Sequence, residues 1–179
     1  MKSINVPRRE DVSSDSQLLF DQIIKKLGKL PNLYSVIGYS AGTLKGFLQF
    51  EAAMAGGVFS VKEKEAVYLV VSEFNDCAYC LAAHTLTAQG NGFNYDETIQ
   101  IRKGYSEEAR LNAIVHLARY ITENRGQTDP KLLGDFFSFG FKEDALIELI
   151  GIITVRIFTN YVYAATGVPL DFPQAEMLK

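Results

Sequence analysis

Residues 60–92 read SVKEKEAVYLVVSEFNDCAYCLAAHTLTAQGNG. Ser60-Val61-Lys62-Glu63 fits the S-x-x-E capping box, in which hydroxyl and carboxylate satisfy free N–H groups at a helix start. The helix it opens carries Glu65, Val67, Leu69 and Val70 and runs to about Phe74. β propensity competes over Val67–Val71, but the caps on both sides favour helix. Asn75-Asp76 makes a short break with good N-cap residues, and a second helix is expected from about Cys77 to Gln89, closed by Gly90-Asn91-Gly92. If the two helices fold back across so short a break, they form an antiparallel hairpin.

Outward from this pair the helical signals continue. Leu18, Leu19, Ile23, Leu27 and Leu30 follow Ser14-Asp15 at helical spacing and stop at Pro31. A helix over Leu33–Ala55 turns Leu33, Val36, Ile37, Leu44, Phe47 and Leu48 inward and ends at Gly56-Gly57. Asn94 and Glu97 repeat the capping pattern for a short helix to Lys103. Ser106 opens another that carries Leu111, Ile114, Val115, Ala118 and Ile121 to Gly126, and Asp129-Pro130 starts a short one. Lys142–Thr166 is a long apolar helix stopped by Gly167, with Pro169 beyond. About eight helices with short connections make an all-α, single-domain bundle over residues 1–179, its core about 15–168. Cys77–His84 can be laid over Thr159–Thr166, and Lys62-Glu63 over Lys142-Glu143 with a two-residue adjustment, which raises an internal helical-hairpin repeat.

Composition narrows the function. The 179 residues are 47% hydrophobic and 22% charged, enough to close a core without disulfide staples or metal. Eighteen Lys and Arg against 21 Asp and Glu give a net charge of −3, so the basic field that nucleic acid or an anionic membrane selects is missing. The first fifteen residues, with Lys2, Arg8, Arg9, Glu10 and Asp11, carry no apolar secretory core. The greasy stretch 145–165 holds Glu148, Arg156 and Asn160, which suits a buried or subunit-contact helix better than a membrane span. Glu148 and Arg156 read as a buried or intersubunit ion pair, and His116 as a solvated side chain. The expectation is a cytoplasmic protein.

The chemistry sits at the hairpin. The chain's two cysteines form Cys77-x-x-Cys80, and His84, one of two histidines, lies one turn beyond on the same helix face. A cysteine at a helix N-terminus meets free N–H groups that favour the thiolate. Glu65 and His84 are equidistant from the break, so the hairpin brings them level, where a carboxylate orients the imidazole and raises its basicity. The expected relay runs Glu65, His84, a water, then Cys80. Cys77, nearer the helix tip, is the sulfur expected to meet an incoming disulfide, and either sulfur could open peroxide chemistry. Phe47, Phe50 and Tyr68 are candidate linings for an apolar approach. Glu65, Cys77, Cys80 and His84 could also supply four zinc ligands, although the second Cys or His knuckle usual in structural sites is missing.

Glu65, eleven residues, Cys77-x-x-Cys80, three residues, His84 resembles the alkylhydroperoxidase D-like (AhpD-like, peroxidase-related) branch of the carboxymuconolactone decarboxylase family. Leu30-Pro31-Asn32, the approach 47–57 and the ending 149–173 with Asn160 and Asp171-Phe172-Pro173 extend the likeness over most of the chain. The resemblance implies an all-α fold, a homo-oligomer built on dimers or trimers (a hexamer among them), and a site made by Glu65, Cys77, Cys80 and His84. It implies a thiol-dependent peroxidase or disulfide reductase that needs no metal or organic cofactor, with a dihydrolipoyl group or peroxiredoxin-type protein as thiol partner. Members of this branch carry a histidine directly before the second cysteine. Here that position is Tyr79, whose phenol, with an ordinary pKa near 10, donates a hydrogen bond but is a poor base at neutral pH. The expected cycle starts with Cys80 attacking a hydroperoxide to give a sulfenic acid, with which Cys77 condenses. The alternative of another class is a non-catalytic redox sensor or structural helical oligomer.

Overall fold

The computed structural model describes residues 4–178, and Lys2 of the charged N-terminus lies outside them. Among the described residues there is no strand, and nine α-helices follow a short 3₁₀ turn. The helix Val61–Phe74 (α4) is the axis: it is buried without interruption from Lys64 to Ser72. It packs against Ala78–Gly90 (α5), Tyr95–Arg102 (α6), Ala109–Glu123 (α7) and Glu143–Thr166 (α9). The remaining helices are Ser14–Leu27 (α1), Asn32–Ile37 (α2), Ala41–Ala53 (α3) and Pro130–Ser138 (α8).

The capping box is realised at α4: the Ser60 hydroxyl accepts from the Glu63 N–H at 3.2 Å, and the Glu63 carboxylate accepts from the Ser60 N–H at 2.8 Å. At the far end the chain reverses at Asp76, which takes a left-handed φ of 50°, a conformation Asp tolerates and β-branched residues do not. The cap of α5 is Cys77 and not Asn75 or Asp76. Asn75 is spent elsewhere: its amide donates to Asn160 of α9 at 2.9 Å, and Asn160 donates to Ser72 at 3.2 Å, which fastens the turn to α9.

Five sequence expectations change. The helix foreseen over Leu33–Ala55 is two helices, because the chain bends at Gly38-Tyr39-Ser40 and Ser40 caps α3 by accepting from Thr43 N–H. Gly38 packs directly on the Phe20 ring, where a Cβ would fall 2.2 Å from Cε1. On α1 it is Phe20 and Ile23 that are buried, while Leu18 and Leu27 are exposed. Ser106 does not start α7, which begins at Ala109; its N–H instead donates to Asn112 Oδ1. The echo of Cys77–His84 in Thr159–Thr166 is not a second hairpin, since α9 is one unbroken helix. The positions matching Asn75-Asp76 are Ile157-Phe158, which cannot make that turn cheaply. Finally, Asp171 and Phe172, beyond the core expected at about 15–168, return to pack on Tyr79.

The helix α9 is long and apolar enough to cross a membrane, yet Ala145, Leu149, Ile152, Ile153, Val155 and Thr159 are buried among the other helices. Glu148 and Arg156 on it do not pair with each other. Eight residues along a helix separates them by about 12 Å at 1.5 Å per residue. Glu148 instead accepts from the Val58 N–H at 2.8 Å and lies 3.8 Å from Lys64, whereas Arg156 faces Glu51 at 3.8 Å. Two apolar clusters result, one around α4, α7, α8 and α9 and one around α1, α2 and α3 that includes Cys77, Tyr79 and Cys80.

Candidate active site

Cys77 and Cys80 are joined as a disulfide, with Cα atoms 5.3 Å apart. As the N-cap, the Cys77 sulfur accepts the Cys80 N–H at 3.3 Å. Its own N–H goes back to Ser72 O at 2.9 Å. The sulfurs are not equivalent. Cys77 is 0% exposed, whereas Cys80, at 2%, lines a cavity of about 300 Å³. Cys80, and not Cys77, is thus the sulfur at the cavity wall, the opposite of the arrangement expected for an incoming disulfide.

The hairpin brings Glu65 and His84 together as their spacing required: Nδ1 of His84 lies 2.8 Å from Glu65 Oε2. With the carboxylate accepting, the proton sits on Nδ1 and Nε2 keeps its lone pair. The expectation that Glu65 makes the imidazole more basic is outweighed. Burial and, next, the Arg156 guanidinium push the His84 pKa below its ordinary 6.5, and the Glu65 charge and hydrogen bond only partly restore it. His84 is thus a neutral imidazole at pH 7. His116 sits half-buried on α7 and has no part in the site.

The cavity wall comes from elements that the motif does not contain. Pro31, Leu33 and Tyr34 from the start of α2, Tyr79 and Ala83 from α5 and Phe172 from the C-terminal segment line it with Cys80 and His84. Phe47 and Phe50 are not in the lining. Phe47 packs on Tyr34 from behind, ring centroids 5.4 Å apart, and Tyr68 lies 4.8 Å from the His84 ring. Arg156 also lines the cavity, its guanidinium carbon 4.1 Å over the Tyr68 ring. A charge in an apolar helix was the available signal for Arg156, masked by reading it as the partner of Glu148.

Tyr79 is held as a strut. Its hydroxyl donates to Asp171 and accepts from the Leu33 N–H at 3.2 Å, tying the C-terminal segment and α2 to α5. Burial and then the Asp171 hydrogen bond raise its pKa, so the phenol stays protonated. Asp171 also lies 3.4 Å from Lys29, whose ammonium sits 3.6 Å from the centre of the Phe172 ring. Tyr79→Phe should cost about 1–3 kcal/mol in urea unfolding, because the Leu33 N–H is left unpaired. The pH profile of Cys80 alkylation should not move; a shift would make the phenol part of the proton path.

The hairpin thus presents a cysteine pair, an imidazole and a carboxylate at one cavity within an all-helical bundle. Residues 41–123 match the carboxymuconolactone decarboxylase family, and that segment holds Glu65, Cys77, Cys80 and His84. Its structure is similar to an uncharacterized peroxidase-related protein from Silicibacter sp. TM1040, with a TM-score of 0.81, 20% identity and coverage of 94% of this chain and 91% of that one. A peroxidase-related protein with an alkylhydroperoxidase AhpD core, from Ralstonia eutropha JMP134, is similar at a TM-score of 0.83, 16% identity and coverage of 94% and 92%. The debrominase Bmp8 is similar at a TM-score of 0.76, 20% identity and coverage of 92% and 90%. At these identities the likeness is one of fold. No functionally curated protein matches the sequence.

Proposed function

We propose that the protein is a thiol-dependent peroxidase or disulfide reductase. The observation that carries this reading is the 2.8 Å Glu65–His84 pair beside the Cys77–Cys80 disulfide, with Cys80 and His84 lining one cavity. The Cys80 thiolate attacks the terminal oxygen of a hydroperoxide, giving a sulfenic acid and an alcohol once the leaving oxygen is protonated. The Cys77 thiol then displaces water and forms the disulfide. A dithiol attacks Cys80, the Cys77 thiolate leaves, and exchange completes the return with the donor oxidised to its disulfide. A dihydrolipoyl group or a peroxiredoxin-type protein is the proposed partner, in the reducing cytoplasm, where thiols persist. The outer face of α9, with Ile147 and Tyr161 exposed, is the proposed contact of a homo-oligomer.

The test is steady-state oxidation of dihydrolipoamide by cumene hydroperoxide. Turnover that needs both is the expected result. Its absence with several dithiols would favour a redox sensor or structural oligomer. The likeness to a debrominase, with an aromatic wall of Tyr34, Tyr79 and Phe172, supports a second reading in which the Cys80 thiolate takes Br⁺ from a ring carbon that is protonated in its place, and the Cys77 thiol then displaces bromide as the disulfide forms. Bromide release from a brominated pyrrole in the same assay distinguishes it. A metal assay on protein purified without chelator tests the zinc alternative, and stoichiometric zinc would overturn the dithiol reading.

A further inference from the structure

Arg156 is 4% exposed, and two of its nitrogens, Nε and Nη2, donate to nothing among the described residues. These two lie on one edge of the guanidinium, whose parallel N–H bonds suit a single anion. A buried cation whose ion-pair partner stands off at 3.8 Å is costly, so an anion formed beside it is stabilised. Glu51 does not fill the edge: it stands 3.8 Å from Nη2, and both its oxygens lie 3.3 Å from the Tyr34 hydroxyl. A group that can become an anion from within is the Cys80 sulfur, which lines the same cavity as Arg156. Thr159 Oγ1 lies 3.5 Å from Arg156 Nη1 and 3.9 Å from Cys80 Sγ, so one hydroxyl joins the two.

We propose that Arg156 is the counter-ion of the Cys80 thiolate, a positioning residue that acts on the sulfur from its Nη1 side, across Thr159, once the disulfide is reduced. This rests on the dithiol reading but not on any particular oxidant. Reduction by a dithiol moves two electrons into the Cys77–Cys80 bond, oxidises the donor to its disulfide, and yields the Cys77 thiol, the Cys80 thiolate and one proton released to solvent. The other titratable groups around Arg156 and His84 do not serve. Glu65 and Tyr68 of α4, Glu51 of α3 and Tyr34 of α2 are carboxyl or phenol groups that carry no positive charge, and burial holds the His84 pKa below its ordinary value. Lys29 at the mouth is engaged by Asp171, its ammonium donating to the Asp171 carbonyl at 2.8 Å. Arg156 therefore does for the second cysteine what Tyr79 in front of it cannot.

The experiment is the iodoacetamide alkylation rate of Cys80 against pH in a Cys77→Ser background, which needs no hydroperoxide and so stands or falls apart from turnover. Adding Arg156→Met should raise the pH midpoint and slow the reaction at pH 7 about tenfold, the effect of one pKa unit on the thiolate fraction. Arg156→Lys should restore most of the profile. Glu51→Gln, which removes the competing carboxylate, should lower the midpoint, and it serves as the test if Arg156→Met does not fold. A folded Arg156→Met with an unmoved midpoint, or a Glu51→Gln midpoint that stays or rises, would overturn the proposal.

Discussion

Cys80→Ser should reduce dithiol-dependent peroxide turnover by at least about 1,000-fold, the scale on which enzymes lose activity with their nucleophile. Cys77→Ser should stop the cycle one step later, after a single oxidation of Cys80. The asymmetry follows from where the sulfurs sit. Cys80 lines the cavity, while Cys77 is sealed beneath the α5 N-terminus and accepts the Cys80 N–H. That placement makes Cys77 the better leaving group, because a thiolate there is met by a backbone donor and the positive end of the helix. A peroxide burst with Cys77→Ser, followed by labelling of the trapped sulfenic acid, should mark Cys80 alone. Label on Cys77, or residual turnover in Cys80→Ser, would reverse the assignment of the two sulfurs.

The hairpin was legible because its signals are local. A capping box, an Asn-Asp break and a glycine stop each act within a few residues, and together they bring Glu65 level with His84. What escaped was set by distant contacts. The bend at Gly38 is anchored where the glycine packs against Phe20 from another helix, so no periodicity within 33–55 announces it. Tyr79 looked like a weak substitute for a base, yet its partners, Leu33 N–H and Asp171, lie 46 and 92 residues away. Arg156 was visible as a charge in an apolar helix, but only packing shows that it faces Tyr68 and Cys80's neighbour Thr159 and not Glu148. Sequence spacing resolved the hairpin motif and not the walls of its cavity.

His84→Gln should lower turnover by about 10²–10⁴-fold, the usual share of a positioned general base. Glu65→Gln should give a smaller loss and slow Cys80 alkylation at neutral pH. The two differ because Glu65 acts through the imidazole. Its removal frees the ring to turn and takes away the charge and hydrogen bond that hold the His84 pKa up against burial and Arg156. The pH dependence separates this from simple damage to the fold. His84 ionises in the folded protein only below its ordinary 6.5, so wild-type turnover should be level in this group near pH 7 and fall on the acid side of that value. Glu65→Gln should move that fall to still lower pH while lowering the plateau. Stability has the same sign. Below pH 6.5 the unfolded chain binds the proton that the folded chain refuses, so stability present above that pH is lost as pH falls toward the folded value. His84→Gln should lack this increment of acid sensitivity in urea unfolding at pH 7 and 5. An acid limb that persists unchanged in His84→Gln would assign the proton to another group and remove the imidazole from the relay.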